Sequence, residues 1–123
     1  METSATFEAR PDQVARTRRF VAQALWSWGV LDVEAAVLVA SELVSNVVLH
    51  AGTQPFDITV DLRAPTVRIE VRDSTNQLPR PRESDEESAG GRGLRIVERL
   101  STAWGARPEG HGKVVWVEIE VGR

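Results

Sequence analysis

At 123 residues and a formal net charge of -3, the chain is sized for one domain with one core, and it lacks a general electrostatic footprint for nucleic acid or anionic membrane. It has no cysteine, which excludes a disulfide scaffold and thiolate metal sites, and only two histidines, His50 and His111, which argues against a histidine zinc site. No apolar run is long enough to span a bilayer and no secretory signal opens the chain, so a cytoplasmic location is expected.

Met1 to Thr6 reads as a loose end, and Thr6 to Arg10 as a short edge strand with Phe7 turned inward. Pro11 and Asp12 then open a helix to about Trp28, with Val14, Val21, Leu25 and Trp28 along one stripe. Arg16, Arg18 and Arg19 make one turn of it basic, either a solvated face or a partner surface. Gly29 ends this helix.

A second helix is expected from about Asp32, as N-cap, to His50, with Gly52 as its stop. Val33, Val37, Ala40, Val44 and Val47 form its core stripe. Glu42 and Asn46 lie one turn apart on the opposite side, flanked by Leu38 and Leu49. A helix apolar on both sides is usually covered on both sides, which would place this carboxylate and carboxamide in a half-buried cavity. A lone buried carboxylate is costly without a cation or a proton-donating ligand. The helix alone leaves open the alternative that Glu42 is simply solvated and Asn46 bonds locally.

Phe56 to Leu62 alternates apolar and polar residues, Arg63 to Thr66 turns around Pro65, and Val67 to Asp73 alternates again. The two segments read as an antiparallel hairpin with one dry face. Val67, Ile69 and Val71 point inward, so Asp73 shares their phase and aims at the covered side. A strand-end aspartate is equally at home as a turn initiator, here ahead of Ser74 and Asn76.

Ser74 to Arg92 has no periodicity, holds Pro79, Pro81 and an acidic patch, and has the length of a lid, a binding loop or a disordered segment. It runs into GGRGL and a helix carrying Leu94, Val97, Leu100 and Trp104, closed by Gly105. Glycines ahead of a helix N-terminus let backbone N–H groups approach an anion. The pattern is neither a Walker A loop nor a GxGxxG fingerprint. Glu109 to Lys113 then turns, and Val114 to Val121 is the last strand, with Val115, Val117, Ile119 and Val121 on one face.

Strands with helices on one side imply an α+β two-layer sandwich, its sheet mixed but mostly antiparallel. Glu42, Asn46, Asp73 and Gly91–Gly93 would surround one cavity suited to a purine nucleotide with Mg²⁺.

Together, ELVSNVVLHAG, VRIEVRDS and GGRGLRIVERL resemble the N box and the two glycine boxes of the ATPase domain shared by histidine kinases, Hsp90 chaperones, type II topoisomerases and MutL proteins, the Bergerat (GHKL) fold. The endings WGARPEG and GKVVWVEI make the chain most similar to small bacterial anti-sigma-factor serine/threonine kinases, over about Phe7 to Val121. The resemblance implies one histidine-kinase-like ATPase domain over residues 1–123 with an ATP lid at 74–92. It implies Glu42 as catalytic base and Asn46 as Mg²⁺ ligand. Asp73 would bind the adenine amino group, and Gly91, Arg92, Gly93 and Leu94 the phosphates of ATP. The implied partners are a sigma factor and its STAS-type antagonist, with no direct contact to nucleic acid or membrane; a homodimer is compatible with the resemblance. No phosphoacceptor-histidine helix precedes the domain, so a histidine autokinase is not expected.

Two departures bear on nucleotide affinity and lid motion: no glycine follows Asp73 in STNQ, and Val114 stands near the start of the last strand where the family tends to place a threonine. The intact Glu42–Asn46 pair favours a Mg-ATP-dependent protein kinase. The missing glycines favour a catalytically silent module that sequesters a partner. A purely structural domain would require coincidence in all of the motifs.

Overall fold

The computed structural model describes residues 1–50, 54–74 and 89–121. The elements run β1 (Glu2–Phe7), a 3-10 turn at Pro11–Gln13, α1 (Val14–Ser27), α2 (Glu34–His50), β2 (Phe56–Arg63), β3 (Thr66–Asp73), α3 (Ala89–Leu100), β4 (Ala103–Glu109) and β5 (Gly112–Glu120). The strands form one sheet in the order β1-β2-β3-β5-β4. Each pairing is antiparallel, so the parallel component expected of a mixed sheet is not found among the described residues.

The sheet is dry on one face because its strands alternate. Phe56, Ile58, Val60 and Leu62 of β2 and Val67, Ile69 and Val71 of β3 are buried, and β5 adds Val115, Val117 and Ile119. Against them pack Val21 and Leu25 of α1 and Val39, Ala40, Leu43, Val44 and Val47 of α2. At about 25 cal/mol per Å² of apolar surface, this core is the main stabilising term, as it is for domains generally. Phe7, Phe20 and Phe56 meet edge-to-face and stacked, at centroid separations of 5.9 and 6.1 Å, and tie β1, α1 and β2 together.

The N-terminal stretch is not a loose end. Residues Glu2 to Phe7 pair with β2 along their whole length, and Thr6 Oγ1 donates to Asp57 Oδ1 at 2.6 Å. ETSATF carries little hydrophobicity, so its strand state comes from the neighbouring strand rather than from its own pattern.

The helix expected to reach Trp104 stops at Leu100. Ser101 donates through both its N–H and its hydroxyl to the carbonyl of Val97, and the N–H of Thr102 then bonds Glu118 at 2.8 Å. Trp104 and Gly105 belong to β4, which pairs with β5 from Ala103 to Glu109. AWGARPE has no strand alternation and contains Pro108, which an edge strand tolerates. Gly105 therefore closes no helix. It lies under the indole of Trp116, where an added Cβ would come within 2.7 Å of the ring.

Candidate functional site: the α2 face and the end of β3

The second helix begins at Glu34, so the N-cap position falls to Val33, whose carbonyl accepts from the Val37 N–H at 2.9 Å; Asp32, expected as the N-cap, stands one residue earlier and accepts from the Glu34 N–H at 3.3 Å. Packing of α2 against α1, α3, β3 and β5 makes it the central helix of the domain. Glu42 and Asn46 are both half-buried on successive turns of α2. Burial pushes the Glu42 carboxyl above its ordinary value, because the charged form loses hydration. The flank expected to cover it is open: Leu38 is 42% and Leu49 59% exposed. The desolvation of Glu42 therefore does not come from a covered Leu38–Leu49 side.

Asp73 ends β3 with its side chain in the buried phase, as the alternation requires, and the residue is 5% exposed. Its cross-strand partner on β5 is Lys113, also buried, with Nζ 3.5 Å from Asp73 Oδ2. Sequence reasoning assigned Lys113 only to a turn. The signal was present: Lys113 is the only lysine of the chain, and it shares the inward phase of Val115, Val117 and Ile119. Val114 pairs instead with Arg72 on one side and Arg107 on the other, where Arg72 and Arg107 both bridge to Glu109. The residue facing Asp73 at the start of the last strand is thus Lys113 and not Val114.

Gly112 brings β5 hard against this end of β3. A Cβ there would overlap the Asp73 carbonyl oxygen and sit 2.9 Å from the Cα of Ser74, so the site requires glycine. Most of the segment expected as a lid, residues 75–88, lies outside the described residues. Gly91, Arg92, Gly93 and Leu94 lie within α3, which starts at Ala89, so the glycines sit inside the first turns and not ahead of them. The first four N–H groups of a helix have no partner within it, and here they belong to Ala89, Gly90, Gly91 and Arg92. Since α3 packs on α2, the helix carrying Glu42 and Asn46 is bounded on one side by this N-terminal turn's own helix and on another by the strands that carry Asp73 and Lys113.

Among the described residues no three histidine or carboxylate side chains are grouped to hold a metal. The donor set therefore fits Mg²⁺ only where a nucleotide supplies most of the oxygens and Asn46 adds one, which is how Mg²⁺ is usually held at phosphate sites. A separate groove of about 520 Å³ runs between α1 and α2, lined by Arg18, Trp26, Leu31 and Leu38 among others, and includes none of Glu42, Asn46, Asp73 or Lys113. No helix among the described residues is long and apolar enough to cross a membrane.

This combination of an open antiparallel sheet, helices on one face and an acid–amide pair on the central helix defines the class. Residues 7–119 match the histidine kinase-like ATPase domain, and the chain belongs to that family. As a member of an ATPase family it is an ATP-binding domain of kinase-like type. The fold is similar to the structure of the RsbU and RsbW domains of Rv1364c from Mycobacterium tuberculosis, with a TM-score of 0.75 and 18% identity, over 98% of this chain and 32% of that one. The chain thus spans about a third of the length of that protein structure. It is also similar to the histidine kinase domain of the blue-light activated histidine kinase EL346 from Erythrobacter litoralis, with a TM-score of 0.54 and 21% identity, over 71% of this chain and 43% of that one. The catalytic domain of the histidine kinase ThkA aligns with a TM-score of 0.53 and 17% identity, over 96% of this chain and 95% of that one. No curated protein matches the chain.

Proposed function

We propose that the chain is a Mg-ATP-dependent serine/threonine protein kinase of the anti-sigma-factor type, which holds a sigma factor and phosphorylates its STAS-type antagonist. The observation that carries this reading is the half-buried Glu42, with its carboxyl raised by desolvation and Asn46 one turn on. A general base must be ionised at working pH yet basic enough to take a proton, and a raised carboxyl pKa moves Glu42 in that direction. Glu42 accepts the proton of the acceptor hydroxyl as its oxygen attacks the γ-phosphorus, and ADP leaves. Asn46 would hold the Mg²⁺ that comes with the nucleotide, and that ion would offset phosphate charge. The first turn of α3, with Gly91, Arg92, Gly93 and Leu94 at or next to it, offers backbone N–H groups to the phosphates.

Support for the anti-sigma type comes from the endings WGARPEG and GKVVWVEI and from similarity to a structure that contains an RsbW domain. Partner capture falls to α1, where Arg16, Arg18 and Arg19 are exposed and Arg18 borders the groove with Trp26 and Leu31. One observation favours a second reading, a partner-sequestering switch that binds nucleotide weakly or not at all and transfers no phosphoryl group: Asp73, expected to take the adenine amino group, already faces a buried cation. Incubation with γ-labelled ATP and co-encoded sigma-factor and antagonist candidates separates the two. Label on a partner serine or threonine supports the kinase. Partner binding with no label on any candidate supports the switch.

A further inference from the structure

Away from the candidate nucleotide site, the groove between α1 and α2 combines exposed apolar surface with a definite shape. One wall carries Arg18, Ala22 and Trp26, set four residues apart on α1, and the other carries Glu34 and Leu38, four apart on α2. Trp26 is 54% and Leu31 79% exposed, and Leu38 joins them, so three large apolar side chains meet water around one hollow. The Trp26 indole N–H donates to the Leu31 carbonyl at 3.3 Å, which fixes the ring and uses its only polar group within the chain. Buried Ala22 keeps the floor low. Arg18 to Trp26 covers about 12 Å at 1.5 Å per residue, the length of two turns of an occupying helix.

The ends of the groove differ in charge. The short connection after Trp28 brings Asp32 and Glu34 beside the end of α1, while Arg18 stands two turns back along that helix. All three are exposed. Among the described residues Arg18 and Glu34 have no ion-pair partner, and Asp32 bonds only the Glu34 N–H. A helix is the element whose own field matches such a groove, with partial positive charge at its N-terminus and partial negative charge at its C-terminus. Laid parallel to α2, it sets the first against Asp32 and Glu34 and the second against Arg18. Basic side chains in its first turn and acidic ones in its last add to the match. That order reverses the usual bias within a helix, so the end charges also repel ordinary helices. A second copy of the chain fits less well, because it offers the same concave surface and two hollows do not fill one another.

We propose that this groove receives an amphipathic helix of a partner protein, parallel to α2, with apolar anchors at i, i+4 and i+7 and charges running from basic to acidic. This rests on the reading of α1 as the capture surface and needs no nucleotide. Two helical peptides of one composition, each stapled on its solvent face and carrying leucine at the three anchors, test it. One has lysine in its first turn and glutamate in its last, and the other has the reverse. Fluorescence anisotropy on the full chain is expected to show the lysine-first peptide binding roughly 5-fold or more tighter, the scale of two exposed ion pairs. Arg18→Glu is expected to reduce or remove that preference, and Leu38→Glu to abolish binding of both peptides. Equal binding of the two by the parent overturns the proposal, as does a preference unchanged in Arg18→Glu, or no binding of either peptide at millimolar concentration. So does a dimer in sedimentation that Leu38→Glu dissolves, which would seat a second copy in the groove. The capture reading fails separately. Loss of sigma-factor or antagonist capture in Arg18→Glu, with neither peptide bound, keeps capture at α1 and overturns the helical occupant. Preferential peptide binding, with candidate capture indifferent to Arg18→Glu, supports the occupant and overturns capture of those candidates through α1. Should a variant not fold, the two-peptide comparison on the parent decides.

Discussion

Gly112 and the Asp73 carbonyl are in such close approach across the β3–β5 ladder that no Cβ can be inserted between them. The obstacle is backbone, which cannot rotate away as a flexible side chain could. Gly112→Ala must therefore displace the end of β3, at a cost of about 1–3 kcal/mol, typical of overpacking. The melting temperature should fall by several degrees, and nucleotide affinity should fall with it because Asp73 moves. An unchanged melting curve would contradict the close approach.

The buried ion pair should reveal itself in stability. Removing one member of such a pair leaves an uncompensated buried charge, at about 3–5 kcal/mol. Asp73→Asn and Lys113→Met are each expected to destabilise the fold on that scale, and the double variant to lose clearly less than the sum. Denaturant melts of the four proteins measure the coupling, and simple additivity would mean that the two groups do not interact.

Glu42 gives a pH dependence of defined sign. Its carboxyl is raised in the folded state, so folding favours its protonated form. That contribution is present at acid pH, below the unfolded pKa, and is lost as pH rises through the raised value. Glu42→Gln, which stays neutral, should therefore gain stability relative to the parent at neutral pH, with the difference shrinking toward acid. Melting temperatures of both proteins across this range check it, and a difference that grows toward acid would reverse the assignment.

The kinase reading separates the roles of two residues on one helix. Glu42→Ala should lower phosphoryl transfer by about 10²–10⁴-fold, the usual worth of a general base, with nucleotide binding nearly unchanged. Asn46→Ala should weaken Mg²⁺-dependent nucleotide binding as well as transfer, because it removes the side chain that would hold the ion. Single-turnover transfer and equilibrium binding distinguish the two patterns.

The elements that could be read from the chain alone are those whose burial writes a period into the sequence. β2, β3 and β5 alternate cleanly, so their phase and the inward aim of Asp73 follow from residue spacing. The central helix carries enough small and branched apolar residues to declare itself. β1 and β4 do not, because each is an edge strand held by its neighbour, with only one ladder to satisfy and little surface to bury. Trp104 fell into a helical spacing with Val97 and Leu100 by chance, and only the bond from Thr102 to Glu118 shows that the chain has already left the helix. Within the candidate site, the spacing of Glu42 and Asn46 and the inward phase of Asp73 are legible from the sequence. Lys113 was missed because it stands next to a turn, where a lysine normally points to water.

The charged contact between Asp73 and Lys113 also guards the sheet against a wrong alignment. At its start β5 places a buried valine on each face, Val114 on one and Val115 on the other, so hydrophobicity there discriminates weakly between neighbouring alignments. Sliding β5 by one residue would turn Lys113 to the other face and set Val114 or Gly112 against the buried carboxylate. The lost cation makes that alternative costly at the one end of the strand where apolar burial alone would tolerate it.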